Sequence, residues 1–174
     1  MHIKDIPRVK GYGNYSVVVH LIRVDQAIDR YIKEDGLELN PDFQRGHVWT
    51  EAQQIAFVEF LLKGGKCPPV LFNHPGWMKS FEGGMVCVDG LQRITAIRKF
   101  LADDLAIFEG HTRSEIEGVD NRLRSFYLDF YINDLETKHD VLDWYLEINA
   151  LGTPHTQEEL ERVRSLLEEM KEDV

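Results

Sequence analysis

The chain is poor in cysteine, short of positive charge and without a long apolar run. Its two cysteines, Cys67 and Cys87, cannot make a disulfide framework, and neither stands in a paired Cys/His spacing that would hold zinc. Cys87 sits inside an apolar run and reads as a small core residue. The seven histidines are scattered, with no His-Glu-x-x-His or similar ligand spacing, so they read as surface or core residues. No apolar stretch approaches the ~20 residues that a membrane helix needs. The start, MHIKDIPRVKGYGNY, lacks the apolar core of a signal peptide. A cytoplasmic protein is therefore expected, with no membrane partner.

The shortage of positive charge excludes more. Twenty Lys and Arg stand against 30 Asp and Glu, a formal net charge of −10. Neutralising phosphates takes clustered Lys and Arg, so tight non-specific binding of duplex DNA is not expected. No basic block is present, and residues 157–174 add seven acidic against three basic residues.

What the chain does have is globular content. At 174 residues with 43% hydrophobic and 29% charged side chains, it can bury a core of its own and is not wholesale disordered. No repeat, low-complexity segment or linker divides it, so residues 1–174 are expected to form one domain.

YSVVVHLI, residues 15–22, reads as a β-branched first strand. VDQAIDRYIKEDG is a short amphipathic helix closed by Gly36. LELNPDFQRGHVW is a brief strand followed by a loop, punctuated by Asn40–Pro41 and Gly46. Thr50 and Gln53 form a capping box that opens a helix with Ile55, Val58 and Leu62 on its stripe. That helix stops at Gly64–Gly65.

PPVLFN and MVCVD are short strands, and the loop from His74 to Gly84, with Pro75 and its glycines, is expected to be flexible. Ile94, Ile97 and Leu101 mark one face of the next helix. LAIF, residues 105–108, is a candidate strand, and 109–121 carries no clear pattern. SFYLDFYIND is a strand with Phe126, Leu128 and Phe130 on one face. Val141, Tyr145 and Ile148 mark a helix over 138–149. Thr156 and Glu159 cap a last helix, 156–172, with Leu160, Val163, Leu167 and Met170 as its stripe. The order is mixed α/β.

Three stretches hold polar residues that these elements do not require. In VCVDGLQRIT, Asp89, Gly90, Gln92 and Arg93 stand at a strand-to-helix corner. One reading is a capped turn, with Asp and Gly shaping it and Gln92 and Arg93 solvated. The other is electrostatic. A helix start presents unpaired N–H groups and partial positive charge that bind phosphate. Gly90 would let the phosphate close to the backbone, and Arg93 would add a two-pronged donor. Arg at a helix N-terminus opposes the macrodipole, a conflict that an anion would remove. Asp89 would hold a metal-bound water or act as a base.

NPDFQRGHVW repeats the Gln-Arg pair at Gln44 and Arg45, between Phe43 and Trp49, which pin the loop to the core. In EINALGTPHTQEEL, a helix end, a turn and a capping box account for Gly152 and Thr153 but not for the choice of Asn149.

In this order and spacing, FQRGHVW, VDGLQRITAI and LEINALGTPHTQEEL resemble the GmrSD-type N-terminal domain family. That family is counted in the ParB/sulfiredoxin-like superfamily, and its hallmark is an Asp-Gly-Gln-Gln-Arg motif before a helix. The resemblance runs from about Val17 to the last helix. It implies a compact α/β fold, a mixed sheet with surrounding helices, holding a nucleotide-sized pocket. Family members in bacterial anti-phage systems bind or hydrolyse nucleoside triphosphates through the motif. They couple this to a separate nuclease domain that cuts foreign, often modified, DNA.

Carried over by position, Asp89, Gly90, Gln92 and Arg93 would form the phosphate corner. Gln44 and Arg45 would face it, and Asn149, Gly152 and Thr153 would close it. Asp89, Arg93 and Arg45 would be the catalytic groups, with Asp89 as the ligand of Mg²⁺. The motif's first Gln is Leu91 here, a lost polar contact that would weaken hydrolysis more than binding. No nuclease domain is expected, so DNA cleavage would require a partner.

The expected function is a nucleotide-binding, NTP-hydrolysing sensor or regulator in a defence or counter-defence system linked to DNA modification. Its partners would be a nucleotide and a nuclease or other defence protein, inside a bacterial or phage-infected cell. The alternative is a non-enzymatic adaptor or inhibitor with an impaired nucleotide site that binds a protein partner. The weakest reading is DNA binding or cleavage by this chain alone.

Overall fold

The computed structural model describes residues 13–44, 49–150 and 157–172, with 44, 149–150, 157–160 and 171–172 described in backbone only. Four strands form one sheet: β1 (Tyr15–His20), β2 (Val70–Asn73), β3 (Val86–Asp89) and β4 (Tyr127–Asn133). Their spatial order is β1-β4-β2-β3. β4 pairs antiparallel with β1 and parallel with β2, and β2 pairs antiparallel with β3. Among the described residues six helices surround the sheet: α1 (Val24–Glu34), α2 (Glu51–Leu62), α3 (Leu91–Leu101), α4 (Val119–Ser125), α5 (Lys138–Ala150) and α6 (Gln157–Glu172). The domain is mixed α/β, as the order of elements predicts.

Strand alternation divides the core in two. Val70, Phe72, Cys87, Leu128, Phe130 and Ile132 point to one face, where they meet Ile28 of α1, Val58 of α2 and Ile94 of α3. Leu71 and Val88 point to the other, where they meet Phe43, Trp144 and Tyr145 of α5, and Val163 and Leu167 of α6. β2, central and short, is buried at every residue, which is why it reads as an unbroken apolar run rather than an alternating one.

The helix signals hold where local chemistry sets them. Thr50 and Gln53 form the capping box, with the Gln53 N–H donating to Thr50 Oγ1 at 3.3 Å and the Thr50 N–H to Gln53 Oε1 at 2.8 Å. Gly36, at φ +61°, closes α1, and the Leu37 N–H reaches back to the Tyr31 carbonyl at 3.0 Å. The cap expected at Thr156 lies outside the described residues.

Several sequence expectations are corrected. The first strand ends at His20, and Leu21–Arg23 is a 3-10 turn leading into α1. The strand expected near Leu37 is a single bridge, Glu38 to Val86. LAIF is not a strand: Ile107 bridges His111 within a tight turn, and Leu105 and Ile107 are apolar because they fill the core. The segment without a pattern holds a 3-10 turn (Arg113–Glu115), capped by Thr112, and then α4. β4 begins at Tyr127, with Phe126 packed beside it. The loop after β2, expected to be flexible, is held by buried His74 and Trp77, whose rings contact each other, and Trp77 also meets Tyr31.

Thr50→Ala removes the cap of α2. We expect a loss of about 1 kcal/mol, read as a fall in melting temperature of roughly 2–4 °C for a chain of this size, with the fold otherwise unchanged by circular dichroism.

Candidate functional site

β3 ends at Asp89 and α3 begins at Leu91, so the single residue Gly90 turns the chain. It adopts φ +119° and ψ 3° and has no side chain of its own to cap the helix, and the Leu91 N–H meets the Cys87 sulfur. A β-carbon on Gly90 would lie 2.8 Å from Val70 Cγ1 and 3.0 Å from Cγ2. Both the left-handed backbone and the close approach of β2 demand glycine. The space that sequence reasoning kept for a phosphate on that side is filled by Val70.

Arg93, one turn into α3, is neither solvated nor a free fork. It is 8% exposed. Its Nη2 donates to Asp89 Oδ2 at 2.7 Å, and its Nη1 donates to the carbonyls of Pro68 at 2.6 Å and Pro69 at 3.1 Å. Burial would lower its pKa, but the Asp89 carboxylate and the Cys67 sulfur outweigh burial and raise it. The anion that resolves Arg93's conflict with the helix dipole is thus Asp89 itself, four residues back. The same burial pushes the thiols of Cys67 and Cys87 up, so neither is a reactive thiolate.

Asp89 keeps a foot in solvent, its side chain 20% exposed. Its Oδ1 has no hydrogen-bond partner among the described residues. Gln92 bridges to the second corner, its Oε1 accepting the Trp49 N–H at 3.0 Å. Gln54 of α2, 4% exposed, donates through Nε2 to the Trp49 carbonyl at 3.0 Å. Two amide side chains therefore clasp the Trp49 peptide between α2 and α3, and the Trp49 ring stands edge-on to Phe57 at 5.1 Å. Sequence reasoning missed Gln54. The signal was present: it sits four residues before Val58, a polar residue on the apolar stripe of its helix.

Leu91 packs half-buried against the first core cluster. Gln44 ends a 3-10 turn (Asp42–Gln44) and Asn149 lies in the last turn of α5, each described in backbone only. Arg45, Gly152 and Thr153 lie outside the described residues. The structure thus brings together Asp89, Gly90, Gln92 and Arg93, and ties them to Trp49.

A cleft of about 250 Å³ lies elsewhere, at the opposite end of the β2–β3 pair, between Val86 and Asn73 and the start of α5. No group of three or more His, Cys, Asp or Glu side chains able to hold a metal occurs among the described residues. No helix among them is long and apolar enough to cross a membrane.

A mixed four-stranded sheet flanked by helices on both faces, with Asp-Gly-x-Gln-Arg at a strand-to-helix corner, is consistent with a ParB-like domain. The chain belongs to the family described as the GmrSD restriction endonuclease, N-terminal domain, which it matches over residues 25–169. The match takes in the whole sheet except β1 and reaches most of α6. No curated protein and no solved structure shows a significant match.

Two substitutions test the corner's construction. Arg93→Met strands the Asp89 carboxylate and two carbonyls, at a cost of about 3 kcal/mol, and adding Asp89→Asn should return part of that loss in urea unfolding. Gly90→Ala forces a β-carbon onto Val70 at positive φ. We expect it to cost about 2 kcal/mol, with partial recovery in the Gly90→Ala Val70→Ala double variant.

Proposed function

We propose that the β3–α3 corner binds the phosphates of a nucleoside triphosphate, and that the domain serves as the nucleotide-reading component of a restriction-type defence system. The observation that carries this reading is the start of α3. An 11-residue helix opens at a glycine that has no side chain to cap it, and although its first N–H, from Leu91, meets the Cys87 sulfur, its N-terminal dipole favours an anion. Arg93 supports it from behind: bound to Asp89, it offsets a carboxylate that would otherwise repel phosphate. Gln92 holds the Trp49 N–H, and Arg45 precedes Trp49 by four residues in the sequence. Gln44, Asn149, Gly152 and Thr153 would close the site around the sugar and base.

In hydrolysis, water attacks the γ-phosphorus, the bond to the bridging oxygen breaks, and a nucleoside diphosphate and phosphate leave. Asp89 Oδ1 would orient that water. The same oxygen would alternatively be the protein's one contact to Mg²⁺ carried in on the phosphates, a ligand set that suits an ion bound by one carboxylate and substrate oxygens. Mg²⁺ supplies charge neutralisation of the phosphates when bound. Arg45 would stabilise charge developing on the transferred group.

A second reading, a non-enzymatic adaptor that recognises a protein, is favoured by one observation. Both Nη1 and Nη2 of Arg93 are engaged by the protein itself, and Leu91 adds an apolar residue where the motif supplies an amide.

Thermal unfolding with ATP, GTP, CTP, UTP and their deoxy forms separates the two. A ligand at 100 times its dissociation constant stabilises by about 2.7 kcal/mol, a rise of roughly 5–10 °C here. No shift with any nucleotide favours the adaptor. Phosphate release by the wild type that is no faster than by Asp89→Asn limits the site to binding.

A further inference from the structure

The 250 Å³ cleft at the far end of the sheet has no place in the nucleotide reading, and its chemistry is opposite in sign. Phe43, Val86 and Val141 give it an apolar back, and Glu38, Asp42 and Glu136 stand on its rim with Lys138 as the lining cation. Lys138 is already committed, its Nζ 2.8 Å from Asp42 Oδ2. That hydrogen bond holds the Asp42 carboxyl below its ordinary value. The nearby Lys79 is paired with Asp134 at 3.0 Å, and Arg162 of α6 acts on Asp42. Glu38 and Glu136 are exposed and have no ion-pair partner among the described residues. A triphosphate would be repelled by this rim.

Size alone does not choose the occupant: at about 250 Å³ the cleft falls just below the roughly 300–1,000 Å³ of small-molecule sites and has room for one long side chain. Glu136 also lies in the field of Lys79, but an apolar wall beneath two exposed carboxylates suits a side chain with a hydrocarbon stem and a cationic head. Charge complementarity therefore selects lysine or arginine presented by another chain. The net charge of −10 would steer a basic segment toward it.

We propose that this cleft is a protein-docking site which seats a Lys or Arg side chain from a basic segment of a partner protein. The stem lies against Phe43, Val86 and Val141, and the head lies between Glu38 and Glu136. The site is separate from the β3–α3 corner and does not depend on nucleotide binding.

The test titrates the full ¹⁵N-labelled chain with capped pentapeptides Gly-Gly-X-Gly-Gly, where X is Lys, Arg or norleucine, and with free 1,5-diaminopentane. The expected result is amide shifts confined to the cleft, at Val86, Thr137 and Val141, for the Lys or Arg peptide. The norleucine peptide, which keeps the stem and loses the charge, should bind at least ten-fold more weakly. The Glu38→Gln Glu136→Gln variant, exposed at both positions, should weaken the basic peptides at least ten-fold. Glu161→Gln Glu168→Gln on α6 should leave them unchanged. Equal binding of norleucine, shifts spread over the acidic surface, or equal loss in the α6 variant would overturn the proposal. Tighter binding of the free diamine than of either peptide would also overturn it, in favour of a small-amine site.

Discussion

The contact between Asp89 and Arg93 is the constraint on which the centre of this domain depends. A guanidinium taken almost wholly out of water must have its donors met, or the cost is several kcal/mol. Here one nitrogen meets the carboxylate that ends β3, and another meets the carbonyls of Pro68 and Pro69 in front of β2. One side chain thereby fixes the end of one strand, the start of its neighbour and the first turn of α3. The Pro68–Pro69 pair suits this, because it offers carbonyls without N–H donors of its own.

Around that pair the packing leaves little slack. Val70 occupies the volume that a side chain at position 90 would need, so β2 can approach the corner only if the corner is glycine. The antiparallel pairing of Leu71 with Asp89 follows from the same approach. Trp49, held by Gln92 and Gln54, brings the segment before α2 to the same place. Three parts of the chain that are distant in sequence are joined by polar groups buried in an apolar setting, where such bonds are strongest.

The two ends of the β2–β3 pair differ in electrostatic character. One presents a helix N-terminus whose nearby carboxylate is neutralised by Arg93. The other presents the Glu38 and Glu136 rim over an apolar cleft. That contrast is what the two proposals draw on, an anion at one end and a cationic side chain at the other. The family's association with restriction systems gives such a division a setting.

What could be read from the sequence was what neighbouring residues settle among themselves. The capping box of α2, the left-handed close of α1 and the apolar stripes of α3 and α5 all rest on interactions within a few residues, and the chain carries them in plain form. Cys87 as a core residue and the Asp-Gly-x-Gln-Arg corner as a special place belong here too. Only the tertiary structure decided what the corner's residues touch. Gly90 answers to Val70, Arg93 to Asp89 and two proline carbonyls, and Gln92 to the Trp49 peptide. None of these demands is visible along one strand or one helix. The same holds for LAIF, whose apolar residues fill a core rather than extend a sheet, and for Gln54, which is buried because Trp49 needs its amide. Apart from the Asp89–Arg93 pair, four residues apart, and the Gln54–Trp49 pair, these burials and partners arise from residues tens of positions apart, and local pattern has no access to them.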